Sequence, residues 1–321
     1  MPVSNLVPPY AAGEWIINRT VQLKSLLGVG GYACVYHAVE VCVDPPQEYA
    51  IKVVMHSSDK VKDELLKREI TYHTMVSGSP DIVPVRRILR EGDRTFIFMD
   101  VCRGGDLFTA IAFNKRFAGN DALLKHVFLQ ILDAVIFCHK RKIYHRDLKP
   151  ENILFTDASC SKVQLTDFGL ATTEAYTNEF RFGSLGYMAP ENYSRDFLMT
   201  ESKYSSKHSD IWSLGVLLFN MITNRVPWDK AHQSDAGFSE FRIYPDSYLP
   251  TIFPISDEVN QLLLRVFALD YKQRISLVDL RKEIARIDYF STDSSDYYVD
   301  QYVLDFPSLP SYVLSLRPLL T

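Results

Sequence analysis

Between Val21 and Val101 apolar and polar residues mostly alternate, the two-residue period of strands that bury one face. Val35, His37, Val39 and Val41 fall on one side, and Tyr36, Ala38 and Glu40 on the other. Asp44-Pro45-Pro46 breaks the pattern as a turn would, and a further strand is expected over residues 48–55. A helix is predicted over residues 59–76, capped near Ser57 or Ser58, followed by strands around 85–90 and 95–101. Beyond Gly104-Gly105 the period changes. Leu124, Val127, Phe128, Ile131, Leu132 and Val135 recur at helical spacing, giving an amphipathic helix of about five turns. Later helices are expected over 210–223 and 257–268. The pattern therefore divides the chain into a small, mainly β lobe (about 20–101), a glycine-containing hinge (about 102–105) and a larger helical lobe (about 106–287). Residues 1–19 form an N-terminal extension. From Asp288 the chain turns acidic, with five aspartates up to Asp305 and no Lys or Arg among them, so 288–321 is expected to be a disordered or surface-draped tail.

Composition changes this picture little. Of 321 residues, 47% are apolar, enough for one large or two modest cores. A net charge of −4 gives no pull toward nucleic acid or an anionic membrane surface. Residues 1–15 lack the pattern of a signal peptide, and no run of about 18 apolar residues predicts a spanning helix. Five scattered cysteines without a C-x-x-C spacing argue against disulfides and a zinc site. They suit a reducing cytoplasmic or nuclear setting.

The candidate chemistry lies in short segments. Gly28-Val29-Gly30-Gly31-Tyr32-Ala33 is a glycine-rich loop whose backbone N–H groups could approach phosphate oxygens. A strand pattern follows it, where a dinucleotide fingerprint would open a helix, so a dehydrogenase is disfavoured. Lys52 sits in the apolar strand Tyr49-Ala50-Ile51-Lys52 and needs an anionic neighbour, for which Glu69 on the predicted helix is the candidate. Downstream come His145-Arg146-Asp147-Leu148-Lys149-Pro150-Glu151-Asn152, then Asp167-Phe168-Gly169, then Met188-Ala189-Pro190-Glu191.

In this order and spacing the chain resembles the eukaryotic protein kinases over roughly residues 20–287. Lys149 makes it similar to the serine/threonine branch. Arg68-Glu69-Ile70 and Phe182-Gly183-Ser184-Leu185-Gly186-Tyr187-Met188 also resemble a fungal kinase group tied to nutrient signalling and meiosis. The resemblance implies an α+β, bilobal protein-kinase fold, protein substrates, ATP and Mg²⁺, in a monomeric catalytic domain. It gives Lys52 the α/β-phosphates, with Glu69 as its partner, and Asp167 and Asn152 the metal. Asp147 becomes the base, Lys149 the contact to the γ-phosphate, and Ser184 their hydrogen-bonding neighbour. Gly28, Gly30 and Gly31 cover the phosphates. Leu27, Val35, Ala50 and Leu154 line the adenine slot with Met99 behind it, while backbone at Asp100 and Cys102 reads the adenine edge and Asp106 the ribose. Asp210 is expected to hold the catalytic loop, and Glu191 to pair with Arg274.

Two positions depart from the pattern. Ala33 replaces the loop's third glycine. Phe180, eleven residues before Glu191, stands where related kinases carry a phosphorylatable residue. The partner of Arg146 could then be the adjacent Glu179, or a phosphate on Thr177, Tyr176 or Thr173. A non-catalytic scaffold would be expected to have lost Lys52, Asp147, Asn152 or Asp167, and all four are present. A small-molecule phosphotransferase is disfavoured by Ala189-Pro190-Glu191 together with Arg274.

Overall fold

The computed structural model describes residues 9–30, 33–56, 60–193 and 202–292. Gly31, the expected cap at Ser57 or Ser58, the first residue of the predicted helix and the tail beyond Thr292 lie outside the described residues.

The N-lobe is one antiparallel sheet. Its strands are β1 (Trp15–Ile16), β2 (Val21–Val29), β3 (Ala33–Glu40), β4 (Gln47–Met55), β5 (Val85–Glu91) and β6 (Arg94–Met99), in the spatial order β1-β2-β3-β4-β6-β5. Helix α1 (Lys60–Val76) crosses between β4 and β5. Alternation sorts the side chains onto two faces. Val21, Leu23, Tyr36, Ile51, Val53 and Phe98 pack on one; Ala33, Ala50, Val54, Ile97 and Met99 face Leu66 of α1 on the other. The register sets Lys52 between Val35 and Ile97, and Ala50 beside Met99.

The C-lobe holds α2 (Leu107–Ala112), α3 (Asp121–Lys140), the short pairs β7 (Ile153–Phe155) with β8 (Val163–Leu165) and β9 (Tyr176–Thr177) with β10 (Tyr204–Ser205), and then α4 (Ser206–Thr223), α5 (Ala236–Ile243), α6 (Pro245–Ile252), α7 (Asp257–Val266) and α8 (Leu277–Arg286). Helix α3 is long and apolar enough to cross a membrane by length and composition. In the fold it is a core helix, burying Leu124, Val127, Phe128, Ile131, Leu132 and Val135 in the C-lobe. Helix α4 is buried almost all round, polar Ser209, Asp210, Ser213 and Asn220 included, and belongs to the core of the lobe.

The bilobal α+β fold expected from the motifs is the one observed. The flanks pack more closely than composition suggests. Tyr10 sits against Tyr36 and Phe96, and β1 pairs with β2. Asp288 reaches Lys125, and Phe290 is fully buried with its carbonyl accepting from the Ser256 N–H. Residues 9–19 and 288–292 thus belong to the packed body.

The hinge depends on its glycines. Gly104 N–H donates to Phe155 O at 3.0 Å, and a Cβ there would lie 2.2 Å from Asp157 O. Gly105 follows at φ +79°, which L side chains rarely adopt.

Candidate active site

Two sets of polar side chains meet in the cleft between the lobes. In the first, Lys52 Nζ lies 2.5 Å from Glu69 Oε1 and 3.1 Å from Asp167 Oδ1. Strand β4 supplies the lysine, α1 the glutamate, and the loop after β8 the aspartate. Glu69 is buried; Asp167, on the floor of the cleft, keeps 44% of its side chain open to it. The Lys52 ammonium, against the effect of burial, holds the Asp167 carboxyl down at about 2, so it is ionised at any physiological pH.

The second set lies on the catalytic loop. Ser184 Oγ donates to Asp147 Oδ1 at 2.8 Å, and Lys149 Nζ is 2.9 Å from Asp147 Oδ2 and 3.0 Å from Ser184 Oγ. Asn152 Nδ2 donates to Asp147 O at 2.8 Å. Burial works against the Lys149 charge, but Asp147 more than offsets it and raises the lysine above its ordinary range.

Backbone geometry at both sets is unusual. Arg146 (φ +64°) and Asp167 (φ +62°) occupy the left-handed region, strain that the surroundings must hold in place. Asp210 does so for the first: it accepts from His145 N–H at 2.9 Å and Arg146 N–H at 2.7 Å, and His139 Nε2 lies 2.7 Å away. Beside Asp167, Phe168 is fully buried with the rings of His73 and His145 against it.

Val35, Ala50, Met99, Cys102 and Leu154 come together in one apolar cluster, joined by Val101, Ile70 and Leu66, which the sequence reading did not include. Leu27 lies at a register shift in β2 and is 46% exposed. Gly28 pairs with Val35, and Gly30 N–H donates to Ala33 O. The Asp100 carboxylate is clamped by Arg86 at 2.5–2.6 Å. Asp106 caps α2 by accepting from Thr109 N–H at 2.7 Å, which occupies one of its oxygens. Asn220 accepts from the Tyr187 hydroxyl at 3.3 Å and donates to Arg225 O at 3.1 Å.

In the activation segment, between Asp167 and Glu191, a carboxylate reaches Arg146. Glu179 Oε2 is 2.7 Å from Arg146 Nη2. Glu179 Oε1 is 3.0 Å from Nη1 of Arg68, a partner with no local sequence signal because it lies 111 positions away. Thr177 is buried in β9, where Oγ1 accepts from the Glu179 N–H. Phe180 packs on Tyr204 at 5.5 Å.

No cluster of three or more His, Cys, Asp or Glu that could hold a metal occurs among the described residues. The ligands expected from the motifs, Asp167 and Asn152, would offer side-chain oxygens only. Such a small hard-oxygen set suits a cation that takes its remaining ligands from phosphates and water.

A bilobal fold with an ammonium–carboxylate pair in the cleft and an aspartate–lysine–serine set opposite is the architecture of a phosphoryl-transfer enzyme. The chain matches the family described as protein kinase domain over residues 21–290 and belongs to it. Members of this family transfer phosphate from ATP to protein, a reaction that generally involves a divalent metal. The chain's relatives include serine/threonine kinases of fungi and of plants. It is 36% identical over 282 residues to the Schizosaccharomyces pombe negative regulator of sexual conjugation and meiosis, covering 83% of this chain and 59% of that protein. It is 31% identical over 331 residues to the Saccharomyces cerevisiae serine/threonine-protein kinase VHS1, covering 84% and 71%. With SKS1 of the same yeast it shares 35% over 236 residues, covering 70% and 46%.

Proposed function

We propose that this kinase works on Mg·ATP with Asp147 as the base and residues 20–287 as the catalytic domain. The observation that carries the reading is the hydrogen-bonded set of Asp147, Lys149, Ser184 and Asn152 facing the Lys52–Glu69–Asp167 chain across one cleft. Phosphoryl transfer needs positioning and compensation of spreading negative charge more than covalent chemistry. Lys52, oriented by two carboxylates, is suited to the α/β-phosphates. The cluster of Val35, Ala50, Met99 and Leu154 suits a flat apolar base. Mg²⁺, when bound, would offset phosphate charge, with Asp167 and Asn152 as its protein ligands. Asp147 accepts the proton of the substrate serine or threonine as that oxygen bonds to the γ-phosphorus and ADP leaves. Lys149, beside it, compensates the charge of the moving group.

The names of the relatives extend the proposal toward control of meiosis and conjugation in a fungal cell. We assign the chain a cytoplasmic or nuclear site and action as a monomer on protein, with neither nucleic acid nor membrane as partner. Five free thiols are compatible with a reducing compartment. The test joins kinetics to binding. Asp147→Asn should keep the melting temperature and the stabilisation by Mg²⁺ with an unreactive ATP analogue, while kcat on a peptide substrate falls by about 10²–10⁴. Asp167→Ala should abolish the Mg²⁺-dependent part of that stabilisation. Near-normal turnover in the first variant, or an unchanged shift in the second, removes that residue from its role.

A further inference from the structure

One carboxylate on the activation segment touches both lobes. Arg68 sits next to Glu69 on α1, and Glu69 holds the cleft lysine. Arg146 sits next to Asp147 on the catalytic loop. Glu179 lies between the two guanidinium groups, 3.0 Å from Arg68 Nη1 and 2.7 Å from Arg146 Nη2. Around it, Arg68 Nη2 donates to Ala171 O at 3.3 Å, Arg146 Nε to Leu170 O at 2.7 Å, and Tyr72 on α1 meets Thr173 at 3.4 Å.

Glu179 is itself held on both sides. Its N–H donates to Thr177 Oγ1 at 3.2 Å, and its carbonyl accepts from the Tyr204 hydroxyl at 3.0 Å, which ties it to the β9–β10 pair. The Arg146 side chain has no solvent exposure, and among the described residues neither Nη1 nor Nη2 makes a hydrogen bond, so Nη2 meets Glu179 as an ion pair. A buried cation so placed relies on the one carboxylate beside it. Two arginines left facing each other without Glu179 would repel, and the repulsion would act along the line joining α1 to the catalytic loop.

We propose that Arg68 and Glu179 are positioning residues for phosphoryl transfer: a two-jawed clasp in which one permanent carboxylate sets the Lys52–Glu69 pair and the Asp147 loop together. Because the charge is built into the chain, the clasp closes without covalent modification of the segment. The inference rests on the kinase reading of the cleft and adds Arg68, which touches neither substrate nor nucleotide.

The test uses the full chain, treated with phosphatase, and compares Glu179→Gln, Arg68→Gln, their double variant and Asp147→Asn. Glu179→Gln and Arg68→Gln should each lower kcat by about 10–100-fold, the scale of a displacement of roughly 1 Å. Both should weaken binding of an unreactive ATP analogue, because the jaw on α1 also holds Glu69. Glu179→Gln, which leaves Arg146 buried without its carboxylate, should also melt lower, whereas Arg68→Gln, at a part-exposed site, should change the melting temperature little. The double variant should be no worse than the poorer single one, since the two act as a unit. Multiplying effects in the double variant, wild-type kcat in either single variant, or loss of wild-type activity on phosphatase treatment would overturn the clasp. A variant that melts several degrees lower with kcat intact gives Glu179 a stabilising role only and overturns it too. Asp147→Asn keeps the readings apart: if it still turns over, the base assignment fails; if it does not while the other variants are normal, only the clasp fails.

Discussion

His73 shows how a single side chain ties stability to pH. It is buried on α1 with its ring centroid 4.8 Å from that of Phe168, and Nε2 lies 2.7 Å from the Val83 carbonyl. A carbonyl only accepts, so Nε2 carries the proton and the neutral ring satisfies the site. Burial pushes the imidazole down to about 4; the Val83 carbonyl opposes this, and the Lys52 charge adds to it. The unfolded chain therefore binds a proton between its ordinary value near 6.5 and about 4 that the folded chain refuses. Stability is full above about pH 6.5 and falls as pH drops toward 4. His208, also lowered to about 4 mainly by burial, adds a slope of the same sign. Urea titrations from pH 7 to 5, above most carboxylate titration, should show the midpoint falling, and His73→Gln should flatten the dependence. An unaltered slope would rule out His73 as a source. Residue roles were legible where short motifs carry them: the Asp147–Lys149–Asn152 loop and the cleft lysine could be named from the chain alone. Arg68 was not, because nothing local in Arg68-Glu69-Ile70 says what the arginine meets 111 positions later.

At the scale of elements, the C-lobe is joined by a buried ion pair. Arg274, after the short turn Tyr271–Gln273, meets Glu191 in the turn Pro190–Asn192 through two contacts of 2.5 and 2.7 Å. Its guanidinium also lies over Trp212 of α4 at 4.8 Å, and Nη1 donates to His208 O at 3.0 Å. Three elements are thereby locked through one side chain. Removing either partner leaves the other charge buried, which typically costs about 3–5 kcal/mol. Arg274→Ala should lower the melting temperature by roughly 4–8 °C for a chain of this size, and a change within about 1 °C would mean that the pair is dispensable. The elements anticipated from periodicity are those long enough to repeat it: α1, α3, α4, α7 and strands β3 to β6 of the N-lobe. Four helices went unnamed. Helix α2 is six residues long, and α6 begins with Pro245 and contains Pro250. Helix α5 buries only Phe238 and Phe241. Helix α8 did carry a usable signal, with Leu277, Leu280 and Ile284 buried at helical spacing.

At the scale of the molecule, the two lobes were visible in the change of period, and the join between them in Gly104-Gly105. What the pattern did not reveal is which lobe owns the join. Arg103 N–H donates to Thr156 O at 3.0 Å, Gly104 N–H to Phe155 O at 3.0 Å, and Phe155 N–H to Gly105 O at 2.8 Å. The linker is therefore riveted to the C-lobe from residue 103 onward. A methyl at Gly104 would drive against Asp157 O and Phe155 Cβ, so Gly104→Ala should destabilise by about 1–3 kcal/mol. It should also weaken binding of an ATP analogue, because Cys102 would be displaced with the strand. Calorimetry and a thermal melt measure both, and a variant equal to the parent in each would show that this fit is looser than its contacts imply. Asp100 is tied to the N-lobe by its N–H on Pro84 O and by Arg86, so the rivets leave Val101 and Cys102 as the short length between, about four soft torsions in all. The Cys102 end of this length is set by the C-lobe, whereas Lys52 is carried by the N-lobe. A nucleotide seated against both would span two reference frames joined by that short pivot. Mechanically it would be a cross-brace, stiffening the enzyme against the few rotations its backbone leaves open.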